Sequence, residues 1–292
     1  MNPWQPCRAT LADGRERWQF GPIDLVLAAD GDAPAVAEAR TSAWRRFESV
    51  LPELTAELPL LRRPVTDGCV PSGPVARRMF AAAAPFAPTF ITPMAAVAGA
   101  VAEEIAQHFA RPGIRRAWVN NGGDIAFVLA EAESLCVGVV PGLDAPEIEG
   151  TLSIRATDPV RGIATSGWRG RSFSLGISDS VTVLAATAAA ADAAATLIAN
   201  AVDADHPAIR RAPANTLKDD SDLEDRLVVT AVGALPLALV DAALARGLAC
   251  ADQFRSRGLI AGAALKLQGR WAGLGKLVPH AALPDPPLAR AA

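Results

Sequence analysis

The chain has 292 residues, a formal net charge of −3, and a composition that is 51% hydrophobic and 20% charged. This length and composition predict a folded globular protein with a sizeable core and argue against a disordered chain. Since the charge balance provides no basic surface, we expect neither nucleic acid nor an anionic membrane as a partner.

The four cysteines are far apart in sequence, and none forms a CxxC pair. This spacing gives neither a zinc signature nor a dense disulfide framework, and it favours a reduced, cytoplasmic protein. The N-terminus lacks the basic start and apolar core of a signal peptide, and no uncharged apolar run reaches the length of a membrane span. We expect a single domain over residues 1–292, with a frayed Pro- and Ala-rich tail from about residue 279.

The first part of the chain predicts two strands, at 17–20 and 23–28, hinged at Gly21-Pro22. A helical period follows over 33–61, which Pro52 and Pro59 are expected to break. A short helix is predicted at 74–83. These elements carry ordinary core periodicity and no catalytic motif.

A helix rich in Ala and Gly begins at Thr92-Pro93, a pair typical of a helix start. Another backbone or a flat ligand can approach its small side chains closely. Strands 117–120 and 125–130 follow, and the Asn121-Gly122-Gly123-Asp124 sequence between them predicts a tight hairpin. A functional interpretation of the same turn is that its backbone N–H groups face an anion or a flavin edge, with Asn120 and Asp124 nearby.

Residues 136–140 and 152–154 are predicted to continue the sheet, with Cys136 as a packed core thiol. Strand 181–184 leads into a helix over 188–202, and 203–226 is predicted to be a long loop. A strand at 227–232, helices at 236–246 and 249–257 separated by Gly247, and a strand at 259–268 complete the chain. Recurring hairpins favour an α+β fold over a doubly wound sheet.

Asp192 is the only acidic residue in the Ala-rich 188–202 helix. Thr196 lies four residues later, so the carboxylate and the hydroxyl share one helix face. Oxygen ligands of this kind suit a hard cation such as Mg²⁺. The alternative is that Asp192 faces solvent and Thr196 only packs.

Four sequence blocks resemble an uncharacterised bacterial and archaeal family of ApbE-like proteins, over about residues 21–269. The blocks are FITPMAAVAGAVAEEIA, VNNGGDIAF, GIATSGWRGRSFSLGISDSVTVLA and ADAAATLIANAV. More distantly, the same blocks in the same order resemble ApbE-type FAD:protein FMN transferases. That resemblance implies a T-fold-like α+β architecture of antiparallel sheets packed with helices. It also implies FAD or FMN as a cofactor and Mg²⁺ as the metal.

The transferase blocks correspond here to 94–103, 122–124, 165–167 and 191–196. In this resemblance the metal ligands are the side chains of Asp192 and Thr196 and the carbonyl oxygen of Ala95. Two elements of the transferase pattern are absent: Ala98 stands where the transferases have a lysine, and their His…Asp-Pro…Thr-Gly segment has no counterpart. Arg169 and Arg171 occur in that part of the chain instead, and guanidinium groups bind phosphate or carboxylate well.

Three functions remain open. The first is an ApbE-like enzyme acting on a flavin or another small anionic molecule, with Asp192, Asp124 and Ser166 as candidate catalytic residues. Its candidate cofactor-binding residues are Asn121, Gly122, Gly123, Thr165, Ser166, Gly167, Arg169 and Arg171. The second is a flavin or metabolite carrier without transferase chemistry. The third is a structural protein whose Gly- and Ala-rich surfaces form a homo-oligomer.

Overall fold

The computed structural model describes residues 4–139 and 150–275. The strands are β1 (Cys7–Thr10), β2 (Glu16–Phe20), β3 (Ile23–Gly31), β4 (Ile114–Asn121), β5 (Asp124–Leu129), β6 (Ser134–Val139), β7 (Gly150–Arg155), β8 (Gly162–Ser166), β9 (Ser180–Ala185), β10 (Ile209–Pro213), β11 (Leu227–Val232), β12 (Gly262–Leu267) and β13 (Arg270–Leu274). The α-helices are α1 (Ala33–Ala56), α2 (Leu58–Leu61), α3 (Pro74–Ala83), α4 (Val97–Ala106), α5 (Ala188–Ala201), α6 (Ala214–Leu217) and α7 (Leu237–Ser256). The tail predicted from about residue 279 lies outside these residues, as does position 140.

Nine strands form one antiparallel sheet in the order β1-β2-β3-β4-β5-β8-β9-β12-β13. Helices α1, α4, α5 and α7 pack against it. The predicted α+β class, with antiparallel sheets packed against helices, is therefore confirmed. The hairpin predicted around Gly122-Gly123 is also confirmed, because β4 and β5 pair directly through it.

The prediction that residues 136–140 and 152–154 continue the main sheet is wrong. Strands β6 and β7 pair with each other as a separate two-stranded sheet. Only one face of this hairpin meets the core, through Leu135 and Val137. Successive strand residues point to opposite faces, so Cys136 between them is exposed and not a packed thiol.

The main sheet is covered on both faces in its centre. Strand β9 is buried along its whole length. Its Val183 belongs to the large core beneath the helices, whereas the neighbouring Leu184 belongs to a smaller core shared with Phe127 and Ile154. The buried residues of β9 include two with hydroxyl groups, Ser180 and Thr182, and the Thr182 hydroxyl is paired with that of Thr165 at 2.9 Å. This strand is the rigid support from which α5 begins.

The predicted helix break at Pro52 is wrong, because α1 continues through it to Ala56. An internal proline costs a helix about 3 kcal/mol. Val50, Leu51 and Leu54 are buried on the core side of the same turn. Each apolar side chain of this size gains about 1.5–3 kcal/mol on burial, so together they outweigh the proline.

Two further boundaries differ from the sequence prediction. Helix α7 is continuous, and Gly247 lies inside it instead of ending it. A Cβ at Gly247 would lie 2.3 Å from the Val202 side chain, so the glycine permits close packing of α7 on α5. The predicted loop 203–226 is partly ordered, since it contains β10 and α6. Strand β10 forms because it pairs with β11, and the polar composition of the segment did not predict this pairing.

A buried ionic cluster joins α1, α3 and α4. Glu104 is 8% exposed, and its carboxylate accepts hydrogen bonds from Arg46 at 2.6 Å and Arg78 at 2.5 Å. Burial tends to raise the pKa of Glu104, but the two guanidinium groups outweigh burial and hold the pKa below its ordinary value of 4.5. Glu104 thus stabilises the fold above its unfolded-state pKa, and this contribution is lost as the pH falls through the folded-state pKa.

Replacing Glu104 by Ala is expected to lower the free energy of unfolding by about 3 kcal/mol, because Arg46 and Arg78 each lose their most buried carboxylate and keep only Glu53 or Glu103. Glu53 is the matched control: it also pairs with Arg46, but its side chain is 36% exposed. We expect Glu53→Ala to cost about 1 kcal/mol or less. Urea unfolding at neutral pH measures both values, and equal losses would contradict this account of Glu104.

Candidate functional site

Helices α4 and α5 touch at a glycine. A Cβ on Gly99 would lie 2.3 Å from the backbone oxygen of Ala188, so only glycine allows this approach. The close contact brings Asp192 of α5 to the N-terminal end of α4. There its Oδ2 accepts the backbone N–H of Gly99 at 3.0 Å, and the neighbouring backbone N–H of Ala98 also favours the charged form of the carboxylate and so lowers its pKa. Asp192 therefore caps a neighbouring helix through groups that carry its positive dipole end.

Asp124 lies at the start of β5, immediately after the Gly122-Gly123 turn. It is 8% exposed, and its Oδ1 accepts the backbone N–H of Thr165 at 3.2 Å. The two glycines have φ values of +67° and +113°, which let the chain reverse in two residues. Asn121, buried on the other side of the turn, donates from Nδ2 to the carbonyl oxygen of Ala98 at 3.1 Å and so ties the hairpin to α4.

Asp124 and Asp192 form what we call the acid pair. Burial raises the pKa of Asp192 well above its ordinary value, and the charge of Asp124 raises it further. The backbone N–H groups of Gly99 and Ala98 lower this pKa, but their effect is smaller. Burial raises the pKa of Asp124 to about 7, opposed by the Thr165 N–H and by the charge of Arg171. Asp192 as a residue is half-buried, so its carboxylate is enclosed but not sealed from solvent. Without a cation, the acid pair is therefore biased towards holding a proton near neutral pH.

The raised pKa of Asp124 predicts a pH dependence of stability in metal-free protein. The folded state binds this proton more tightly than the unfolded state, whose carboxyl titrates near 3.8. Between these two pKa values the free energy of unfolding must fall as the pH rises. From about pH 5 to pH 8 we expect the free energy of unfolding of the wild type to fall by about 2 kcal/mol relative to that of Asp124→Asn. Chemical unfolding in EDTA measures it, and a difference that stays constant with pH would refute the raised pKa.

The predicted metal ligands lie on adjacent elements. Thr196 is half-buried one turn after Asp192 on α5. Ala95 is half-buried in the 3-10 turn Pro93–Ala96 that precedes α4, and this turn packs against α5. Among the described residues no group of three or more His, Cys, Asp or Glu side chains is arranged to hold a metal. A site here would rely on few carboxylates together with neutral oxygens and ligand phosphates, which is the usual pattern for Mg²⁺.

The Thr165-Ser166-Gly167 turn is held to the next strand. The Thr165 hydroxyl hydrogen-bonds the Thr182 hydroxyl at 2.9 Å. A Cβ on Gly167 would lie 2.4 Å from the backbone oxygen of Asp179, so this glycine is required by packing as well. Ser166 is half-buried at the end of β8.

Neither of the two histidines in the described residues, His108 and His206, is seen paired with Ser166. The ring of His108 pairs with Ser42, and Nδ1 of His206 accepts the backbone N–H of Ala208. A serine hydroxyl is a weak nucleophile unless an adjacent base activates it. The assignment of Ser166 as a nucleophile stays a prediction without a visible activating group.

The two predicted arginines are placed differently. Arg171 extends back over the glycine turn: its Nη1 would lie 3.1 Å from a Cβ on Gly122, and its Nη2 donates to the carbonyl oxygen of Pro22. Arg169 instead faces Asp179 at 3.9 Å and stacks on the Trp168 ring. Arg171 is therefore the arginine that the fold brings towards the acid pair.

The glycine turn offers fewer free donors than the sequence predicts. The backbone N–H of Gly123 already donates to Oδ1 of Asn120 at 2.8 Å. The backbone N–H groups that donate to the acid pair belong to Gly99, in the helix before the turn, and to Thr165. For the Gly99 N–H there was only an indirect signal in the sequence, namely the small residues that follow the predicted helix start at Thr92-Pro93.

Two surface concavities beside His108 have volumes of about 450 and 340 Å³, and neither is lined by Asp124 or Asp192. The acid pair is instead singled out by its burial and its hydrogen bonds to backbone N–H groups. Within residues 4–139 and 150–275 no helix is long and apolar enough to cross a bilayer.

Solved structures with a similar arrangement share little sequence with this chain. The ApbE protein of Thermotoga maritima aligns with a TM-score of 0.44 and 13% identity, over 91% of this chain and 96% of that chain. The flavin transferase ApbE from Vibrio cholerae aligns with a TM-score of 0.44 and 12% identity, over 92% and 96% of the two chains.

Relatives found by sequence comparison have a higher identity to this chain than these solved structures do. The UPF0280 protein of Methanosarcina acetivorans is 31% identical over 201 residues, which cover 68% of this chain and 75% of the relative. That of Methanothrix thermoacetophila is 39% identical over 133 residues, 45% of this chain and 54% of the relative. The chain thus spans about half the length of the latter. A family model described as "AbpE bacteria" matches residues 8–273, nearly the whole described region. The predicted ApbE-like resemblance is confirmed: this chain belongs to the AbpE family of bacteria.

Proposed function

We propose that this protein is an ApbE-related enzyme that binds a flavin, with FAD as the first candidate, together with Mg²⁺ at the acid pair. The observation that carries the proposal is the juxtaposition of Asp124 and Asp192 in a largely enclosed position. Burying a carboxylate is costly, and burying two together adds repulsion. Positions of this kind occur more often in functional sites than on an ordinary surface.

The donor set suits Mg²⁺. Asp192 supplies a charged oxygen, and Thr196 and the Ala95 carbonyl would supply neutral oxygens from the same pair of elements. A divalent cation would offset the desolvation and the repulsion that raise both pKa values. When bound, the ion would neutralise phosphate charge and polarise a phosphoryl oxygen. Few protein carboxylates are needed if phosphate oxygens and waters complete the coordination.

The remaining residues would bind and orient the anion. Arg171, exposed above the glycine turn, is suited to a phosphate oxygen because its planar guanidinium donates two parallel hydrogen bonds. Asp124 holds a proton near neutral pH only without the cation. With the cation bound it would be a carboxylate whose free oxygen can accept a proton from a ligand, while the Thr165 N–H fixes the other oxygen. Ser166 follows Thr165 directly in the chain and would also contact the ligand.

The alternative is a flavin carrier that keeps the pocket without group transfer. It is favoured by two observations: Ala98 occupies the position where the related transferases have a lysine, and Ser166 has no histidine base among the described residues. Both functions require the same acid pair and the same arginine. They differ only in what happens to the bound flavin.

A titration of the purified protein into a fixed concentration of FAD tests binding. We expect quenching of flavin fluorescence to saturate in Mg²⁺ and to require at least about tenfold more protein in EDTA. Arg171→Gln should weaken binding, whereas Arg115→Gln, which removes an exposed charge near Glu133, should not. The absence of binding both with and without Mg²⁺ would eliminate the enzyme and the carrier together.

Chromatography of the bound flavin after long incubation separates the two functions. Cleavage of FAD by water at its pyrophosphate would give FMN and AMP, and transfer to a protein hydroxyl would give covalent FMN and AMP. Release of AMP therefore supports the enzyme. Recovery of intact FAD from a saturated complex supports the carrier.

A further inference from the structure

A polar groove lies beside His108, at the opposite end of α4 from Gly99 and the acid pair. Its volume is about 450 Å³, and a second depression of about 340 Å³ shares His108, Arg111 and Glu38 with it. We call the combined surface the His108 groove. The ten residues of α4 separate it from the acid pair by about 15 Å, at 1.5 Å per residue.

Two positive charges in the His108 groove are poorly compensated. Arg45 is exposed and has no ion pair or hydrogen bond with any described residue. Arg111, whose side chain is 26% exposed, donates from Nε to the carbonyl oxygen of His108 at 3.0 Å and pairs through Nη1 with Glu38 at 2.9 Å. The Glu38 side chain is 78% exposed, so this ion pair contributes little. Arg46, by contrast, is already neutralised by the carboxylates beneath it. The groove therefore presents one guanidinium group without a described partner, Arg45, and a second, Arg111, whose exposed partner Glu38 an external anion can displace.

Neutral polar groups lie next to these charges. Nδ1 of His108 is 2.8 Å from the Ser42 hydroxyl. Burial lowers the pKa of His108, so its ring is uncharged at neutral pH and offers hydrogen bonding instead of charge. Ser42, Arg45 and Glu38 lie on one face of α1, at spacings of three and four residues, and face this ring.

We propose that the His108 groove is a second ligand site, which binds a phosphorylated small molecule through Arg45 and Arg111, with His108 and Ser42 contacting the rest of the ligand. Guanidinium groups match phosphate oxygens in geometry and charge. The volume is in the range of small-molecule sites, about 300–1,000 Å³. This site needs neither Mg²⁺ nor flavin, so it is independent of the function proposed for the acid pair.

The position of Glu38 gives the proposal an unusual signature. An incoming phosphate competes with Glu38 for Arg111, so removal of the Glu38 charge should strengthen binding. Removal of the Arg45 charge should weaken it. Both side chains are exposed, and neither change is expected to disturb the fold.

Calorimetric titration of pyrophosphate into the full chain, in EDTA and at fixed ionic strength, tests the site. We expect saturable binding that Arg45→Gln weakens by about tenfold or more and Glu38→Gln strengthens severalfold. Arg115→Gln, the matched loss of one exposed charge outside the groove, should leave the affinity unchanged within about twofold.

Three results would overturn the proposal. One is the absence of saturable heat up to about 10 mM pyrophosphate, which is weaker than useful small-molecule binding. Another is equal weakening by Arg45→Gln and Arg115→Gln, which would indicate general charge attraction. The third is loss of binding in Arg171→Gln with no effect of Arg45→Gln, which would assign the pyrophosphate to the acid-pair region.

Discussion

Replacement of Asp192 by Asn is expected to abolish Mg²⁺-dependent FAD binding while leaving the protein folded, with a melting temperature equal to or above that of the wild type. The asparagine oxygen still accepts the Gly99 N–H, so the cap on α4 survives. The charge is lost, and with it the desolvation cost and the repulsion from Asp124. If Asp192 binds the ion directly, as we propose, its loss should reduce metal affinity by at least the roughly 10–100-fold seen for outer partners.

Glu103→Gln is the matched control for Asp192→Asn. Glu103 is the reciprocal carboxylate of the same helix pair: it lies on α4, and its Oε2 accepts the backbone N–H of Ala189 in the first turn of α5. Glu103 forms an ion pair with Arg78 at 3.0 Å and is not one of the proposed metal ligands. Flavin fluorescence of both variants measures Mg²⁺-dependent FAD binding, and thermal melts show whether each variant is folded. Unchanged Mg²⁺ dependence in Asp192→Asn would show that Asp192 only caps a helix.

Gly162→Ala is expected to destabilise the fold severely. A Cβ there would lie 2.1 Å from the backbone nitrogen of Ala188 and 2.2 Å from the carbonyl carbon of Thr187. Both atoms belong to the backbone at the start of α5, so no side-chain rotation relieves the clash. Strand β8 and helix α5 must separate, and we expect a loss of about 3 kcal/mol or more, at the upper end for overpacked cores.

Gly233→Ala is the control for this change. Its backbone φ is not in the left-handed region, and its nearest contact would be the Ala208 side chain at 3.2 Å. A shift of a few tenths of an ångström accommodates it, so we expect a change below about 1 kcal/mol. Urea unfolding of both variants gives the comparison. Wild-type stability in Gly162→Ala would mean that α5 is not held against β8 as described.

The local features of the site were predictable from sequence because they depend on short spacings. The Asn121-Gly122-Gly123-Asp124 turn and the Asp192–Thr196 helix face are each contained within a few residues. The juxtaposition of Asp124 and Asp192 was not derivable from spacing, since it depends on the pairing of β5, β8 and β9 and on the contact at Gly99. Long-range contacts of this kind are set by the whole core.

The errors in the fold prediction have a common physical origin. At Pro52 and Gly247, residues that break isolated helices lie within helices, because tertiary packing outweighs local propensity. Cys136 lies in an apolar run, yet it is exposed because its hairpin is covered on one face. In each case the deciding partner is remote in sequence, so composition and periodicity of the segment alone do not identify it.

The most direct test of the account is a count of protons released when Mg²⁺ binds in the presence of FAD. Calorimetry at about pH 6.5 in two buffers of different ionisation enthalpy gives this number. Because the acid pair holds a proton without metal, we predict a release approaching one proton per Mg²⁺ in the wild type and none in Asp192→Asn. Mg²⁺ binding without proton release, or release that persists in Asp192→Asn, would contradict a metal site at the acid pair.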